Sequence, residues 1–214
     1  DTTEGAIALL RQFGAEVRRA GGEAAFLEKS LDAITAVSKK FAVESSDIIT
    51  AIRKTGGVFA AAGGEVNELI ALFTSVRATT RESADTIATG LRTIFTRIQR
   101  SETVDQLKAL GIQLQDSQGR FVGAYKAFEL LSKGLRGLDP RDYRFAEIVE
   151  SLGGFRQVGK VIPLIQQFKT SQQALNIAIQ SSGTVSADAE KAQDTLANRI
   201  DKTKQSFDSL IRSF

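Results

Sequence analysis

The chain contains no cysteine, histidine, tryptophan or methionine among its 214 residues. Without cysteine and histidine it has no thiol nucleophile, no disulfide bond, no imidazole base and no zinc site of the usual kind. These absences exclude the commonest nucleophilic and metal-dependent enzyme mechanisms. Because the chain lacks methionine, including at position 1, we expect it to begin inside a longer gene product or after processing, and we interpret it as a fragment.

Proline, net charge and long apolar runs are also scarce. The only prolines are Pro140 and Pro163, hydrophobic residues make up 42% of the chain, and charged residues make up 25%. This composition excludes disordered and collagen-like chains and favours helices. The net charge of +3 is too small to indicate nucleic-acid binding on its own. The longest window without charge, residues 170–187, is rich in Gln, Ser and Thr, so we expect no membrane segment.

Apolar residues recur with helical spacing along most of the chain. In ESADTIATGLRTIFTRIQR, residues 82–100, they form one stripe about 120° wide. The members of this stripe are Ala84, Ile87, Ala88, Leu91, Ile94, Phe95 and Ile98. We predict that Thr79 or Thr80 caps this helix and that another helix begins at Ser45 or Ser46. The sequence therefore predicts an all-α fold, a bundle of many helices of moderate length that each bury one side.

Glycine pairs and one short segment interrupt the helical spacing. Because Gly inside a helix costs about 1 kcal/mol relative to Ala, the pairs at 21–22, 56–57, 63–64 and 153–154 predict turns. Residues 111–123 combine alternating apolar residues with a tight turn at 116–119, which predicts a short β-hairpin. A calcium-binding loop is the alternative, although the turn supplies only Asp116 where several carboxylates are needed.

Two parts of the chain differ in their spacing, a helical core at 1–184 and an amphipathic helix at 185–214. In the second part, the residues of one face are separated by 4, 3, 4, 3 and 4 positions, the spacing of a heptad seam. The seam consists of Leu196, Ile200, Thr203, Phe207, Leu210 and Phe214. It predicts either self-association as a coiled coil or a terminal helix that lies on its own domain.

Gly154, Gly159 and Lys160 have the G-x-x-x-x-G-K spacing of a phosphate-binding loop. Such a loop also needs a preceding strand and a Ser or Thr after the lysine. Here Val161 follows the lysine, and residues 141–154 carry helical spacing. We interpret the two glycines at 153 and 154 as a helix end and a turn, and not as part of a nucleotide site.

The segment after this turn has its own apolar stripe, which accounts for its residues without a ligand. The stripe consists of Phe155, Val158, Val161, Ile162, Ile165 and Phe168. Pro163 interrupts it and is predicted to be the first residue of a new helix, where the missing N–H costs nothing.

Five arginines form a candidate basic contact face: Arg77, Arg81, Arg92, Arg97 and Arg100. Guanidinium groups could contact phosphates, but no neighbouring aromatic residue offers a platform for stacking on bases. We interpret the face as solvated, with no specific nucleic acid as its ligand.

The string ELIALFTSVRATTRESADTIATGLRTIFTRIQR resembles the core of tape measure proteins from long-tailed bacteriophages. The likeness continues in order through three further blocks and covers roughly residues 30 to 212. The four blocks are residues 68–100, 104–121, 145–168 and 189–211.

The resemblance implies a structural protein with no catalytic residue and no cofactor. Such a protein occupies the tail tube lumen of the virion, sets tail length during assembly in the host cytoplasm, and leaves ahead of the DNA. The resemblance also implies contacts with the tail tube protein, tail assembly chaperones and tail-tip or baseplate hub proteins. The rotational symmetry of a tube favours a homo-oligomer, a trimer or a hexamer. The alternative is a helical adaptor or signalling module that acts through contacts between helices.

Overall fold

The computed structural model describes residues 2–181, which form eleven α-helices and one short 3₁₀ helix, Phe155–Gln157. In chain order the α-helices are α1 (Thr2–Gln12), α2 (Gly14–Ala20), α3 (Glu23–Phe41), α4 (Ser45–Ala61), α5 (Val66–Thr80), α6 (Ala84–Arg97), α7 (Ser101–Ala109), α8 (Ala124–Gly134), α9 (Tyr143–Gly153), α10 (Val158–Gln166) and α11 (Phe168–Gln180). The predicted all-α fold is confirmed over this range. The predicted heptad helix at 185–214, with its seam, lies outside the described residues.

Helix α5 is the centre of the core. Its residues from Leu69 to Val76 are all buried, including the polar Thr74 and Ser75. A helix that is buried on every side needs neighbours all round, and α3, α4, α10 and α11 supply them. The sequence predicted one buried side for this helix, because a helical stripe does not show how many neighbours will pack around it.

Phenylalanine rings from three helices meet beside α5. The ring centroids of Phe59 on α4 and Phe95 on α6 are 4.7 Å apart, and those of Phe95 and Phe128 on α8 are 6.3 Å apart. All three side chains are fully buried. The stripe predicted for α6 is therefore the face that holds α6 against α4 and α8.

Helix α6 begins one residue after Ser83, whose hydroxyl oxygen accepts a hydrogen bond from the N–H of Thr86 at 3.3 Å. The prediction that Thr79 or Thr80 caps this helix is wrong. Helix α5 extends as far as Thr80, and the two threonine hydroxyls donate to its own carbonyl groups four residues earlier. The start of α4 at Ser45 is as predicted.

Three of the four glycine pairs lie at turns, as predicted, and the fourth does not. Gly56 and Gly57 lie inside α4, where helix α1 crosses close to the backbone. A Cβ on Gly56 would lie 2.1 Å from Oε1 of Gln12 and 2.9 Å from Cε2 of Phe13. The absence of a side chain at Gly56 therefore permits the helix crossing, and the helical cost of Gly is offset by the packing of α1 on α4.

The β-hairpin predicted at 111–123 is wrong, because no strand forms in the described part of the chain. A single antiparallel bridge joins Gln115 to Phe121 around a tight turn. The carboxylate of Asp116 accepts bonds from the N–H groups of Gln118 and Arg120 and from the Arg120 side chain, so it stabilises the turn. Apart from the backbone bond that closes the turn, only the N–H groups of Asp116 and Val122 donate across it to backbone carbonyls, those of Arg120 and Leu114, which is too few to make a strand ladder.

Pro163 lies inside α10, as its sixth residue, and not at the start of a helix as predicted. The 3₁₀ helix at 155–157 leads directly into α10 and sets its beginning upstream of the proline. The proline ring is buried, so packing offsets the loss of one backbone hydrogen bond. Within residues 2–181, no helix is long and apolar enough to cross a membrane.

Candidate interaction surface

The structure divides the five arginines of the predicted basic face into two groups. Arg92, Arg97 and Arg100 lie together along α6 and just beyond its end, whereas Arg77 and Arg81 lie at the end of α5. The Nε atom of Arg77 donates to Oδ2 of Asp47 at 2.8 Å, and only 21% of that side chain is exposed. Arg77 is therefore engaged in holding α5 to α4.

Arg92, Arg97 and Arg100 border a shallow groove of about 360 Å³, which we call the basic groove. It is lined by Thr89, Arg92, Thr93, Thr96, Arg97 and Arg100. Arg92 and Arg100 have no carboxylate partner among the described residues. The groove therefore presents unpaired positive charge to the solvent.

The three threonines of the basic groove use their hydroxyl hydrogens inside α6. Thr89, Thr93 and Thr96 donate to the carbonyl groups of Asp85, Thr89 and Arg92, at 2.9, 3.3 and 2.9 Å. A hydroxyl that has donated its hydrogen can still accept a bond from outside. The groove thus offers guanidinium donors and threonine acceptors side by side.

An exposed aromatic side chain lies beside the basic groove, which the sequence did not indicate. The Nη1 atom of Arg97 donates to the carbonyl of Glu150 at 3.4 Å, and its guanidinium lies against Gly154. Phe155 follows directly and is 81% exposed, with Arg156 exposed next to it. The assignment of Phe155 to a buried stripe is wrong, because Gly154 adopts a φ of +67° and turns the chain away from the core.

Lys160 does not have the surroundings of a phosphate-binding lysine. Its Nζ lies 2.7 Å from Oε2 of Glu82, and its side chain is 9% exposed. The helix α9 precedes Gly154, as the spacing predicted, where a phosphate loop would have a strand. The geometry therefore assigns Lys160 to an ion pair between α10 and the turn before α6.

A second cluster of charges holds α2 against the start of α5. Oε1 of Glu16 accepts a hydrogen bond from the N–H of Val66 at 3.0 Å, and Arg19 pairs with Glu65 at 2.8 Å. The pKa of Glu16 is raised to about 7, mainly because the carboxyl group is buried. The nearby carboxylates of Glu65 and Glu68 contribute to the same rise. The carboxyl group of Glu16 thus caps the N–H of Val66 in the first turn of α5, where the helix dipole is positive. Glu16 therefore has a structural role.

The described residues thus form an all-helical fold whose surface carries a basic groove with an exposed aromatic side chain beside it. The phage-related minor tail protein family matches residues 1–154, and the chain belongs to this family. Membership gives the chain a structural role in a phage tail, in contact with other tail proteins, and families of this kind are generally not enzymes. No solved structure matches the chain.

Proposed function

We propose that the chain is a folded segment of a tail tape measure protein that lies in the lumen of the tail tube. The observation that supports this proposal best is the position of the longest segment that resembles tape measure proteins, residues 68–100. This segment coincides with α5 and α6 at the centre of the fold. The family match over residues 1–154 includes this block. In this role the chain takes part in setting tail length during assembly and leaves the tube at genome ejection.

The folded segment acts as an anchor for assembly, and the length-measuring helix lies elsewhere in the parent protein. Among residues 2–181 the longest helix is α3, which has 19 residues and spans about 28 Å at 1.5 Å per residue. A single helix of the 180 residues from 2 to 181 would instead span about 270 Å. Because these residues bury a common core, they contribute a contact surface and little length. The tail tube protein, the assembly chaperones and the tip or hub proteins are the partners that this role requires.

The lumenal position is tested by thiol accessibility, because the chain has no cysteine of its own. Ser117→Cys adds one thiol in an exposed turn, and its labelling is measured relative to tails with the unsubstituted protein. In intact tails, we expect no reaction with a maleimide reagent too large to enter the tube, and complete reaction after the tails are dissociated. Reaction at the same rate in intact and dissociated tails would place the segment on the outside and contradict the proposal.

Self-association through the seam at 196–214 is a separate part of the proposal. Rotational symmetry of a tube favours several copies of any protein that fills it. The double substitution Phe207→Asp and Leu210→Asp introduces charge into the seam, and we expect it to lower the copy number measured by light scattering. An unchanged copy number would mean that the seam packs within its own chain.

A further inference from the structure

We propose that the basic groove and Phe155 together dock an acidic amphipathic helix of another protein. The proposal starts from the juxtaposition that the fold creates between two segments separated by more than fifty residues. Arg97 borders the groove and also lies against Gly154, so the exposed ring of Phe155 stands at the edge of the same surface. Neither segment alone has this combination of positive charge and an exposed aromatic ring.

The dimensions of the groove suit a helix. Its lining residues on α6 run from Thr89 to Arg97, which is about 12 Å at 1.5 Å per residue, or about two helical turns, and Arg100 lies just beyond the end of the helix. The threonines between the arginines are small, so a second helix can approach closely, and the arginines mark the positions of its acidic residues. Arg92 lies within α6 and Arg100 lies just beyond its end, so the groove carries positive charge along its length.

The threonine oxygens favour an occupant that carries hydrogen-bond donors as well as acidic groups. Phosphate groups only accept hydrogen bonds, and the threonine hydroxyl hydrogens are already used within α6. A protein helix brings carboxylates for the arginines and side-chain donors for the threonine oxygens. The exposed ring of Phe155 then serves as an apolar anchor, since aromatic residues often contribute most of the affinity at protein interfaces.

The surface is tested by fluorescence anisotropy with a labelled synthetic helix that carries glutamates at every fourth position and leucines on the opposite side. We expect saturable binding to the full chain, and no binding when glutamine replaces each glutamate. The double substitution Arg92→Glu and Arg100→Glu should weaken binding about tenfold or more, and Phe155→Ala about tenfold. The control Arg11→Glu with Arg18→Glu makes the same change in net charge on α1 and α2, and we expect less than about a twofold effect.

Several results would overturn the proposal. These are the absence of saturable binding, equal binding of the glutamine peptide, or equal loss of binding in the control variant. Tighter binding of a short oligothymidylate, or of phosphatidylglycerol vesicles, than of the acidic peptide would assign the surface to nucleic acid or to lipid instead. The measurement uses the purified chain alone, so its failure would leave the proposed position in the tail untouched.

Discussion

Lys160 on α10 and Glu82 before α6 form an ion pair, with 2.7 Å between Nζ and Oε2. Only 9% of the lysine side chain is exposed, so its ammonium group is largely removed from water and depends on the glutamate. The pair joins the start of α6, which carries the basic groove, to α10, which directly follows the 3₁₀ helix that contains Phe155. It therefore stabilises the arrangement on which the proposed surface depends.

Replacing Lys160 should destabilise the fold. With Lys160→Met, the partly buried carboxylate of Glu82 loses its partner, and we expect the free energy of unfolding to fall by about 1–3 kcal/mol. Urea denaturation measures this loss. The matched control is Lys54→Met, which removes the exposed pair between Lys54 and Asp85 and should change stability by less than about 0.5 kcal/mol. Equal effects of both substitutions would show that burial of Lys160 has no energetic consequence.

The two adjacent glycines in α4 should respond oppositely to alanine. Gly57 is exposed, and the nearest atom to an added Cβ is 3.9 Å away, so Gly57→Ala should stabilise by about 0.5–1 kcal/mol through helix propensity. Gly56→Ala places a methyl group against α1 and should destabilise the protein. Thermal unfolding of the two variants compares them directly. Stabilisation by both alanines would mean that α1 does not pack against α4 at this point.

The stability of the protein should fall as pH rises from about 4.5 to 7 because of Glu16. Burial raises the pKa of Glu16 from 4.5 to about 7, so the folded chain retains a proton that the unfolded chain has already released. Each step up in pH through this window therefore favours the unfolded state. Glu16→Gln cannot ionise and should show a weaker fall, with the remaining slope due partly to Glu68, whose pKa burial also raises. Parallel pH profiles of the two proteins would contradict the assignment.

Two phenylalanines with opposite exposure should differ in their contribution to stability. Phe95→Ala opens a cavity between the rings of Phe59 and Phe128 and should cost about 3–5 kcal/mol. Phe155→Ala removes a solvated ring and should change stability by less than about 0.5 kcal/mol. Chemical denaturation of both variants checks the contrast. A large loss for Phe155→Ala would place its ring in the core and remove it from the proposed surface.

Local features of the sequence predicted the helices well and their mutual contacts poorly. The apolar stripe of α6 and the start of α4 depend on residues close in sequence, and both were predicted. The sequence predicted a turn at Gly56 and a buried side chain at Phe155, and both predictions are wrong. Their surroundings depend on helices distant in sequence, α1 for Gly56 and α6 for Phe155. The sequence grouped Arg77 with the arginines of the basic groove in one face, since periodicity cannot show that Arg77 pairs with Asp47 on another helix.

The central claim is that a folded segment, and not a length of extended helix, takes part in tail assembly. It is tested most directly by an in-frame deletion of the codons for residues 2–181, followed by a histogram of tail lengths from electron micrographs. We predict that tails are absent or uncontrolled in length, because an element that starts or registers assembly has been removed. Uniform tails shortened by about 270 Å, at 1.5 Å per deleted residue, would instead show that these residues measure the tail as an extended helix.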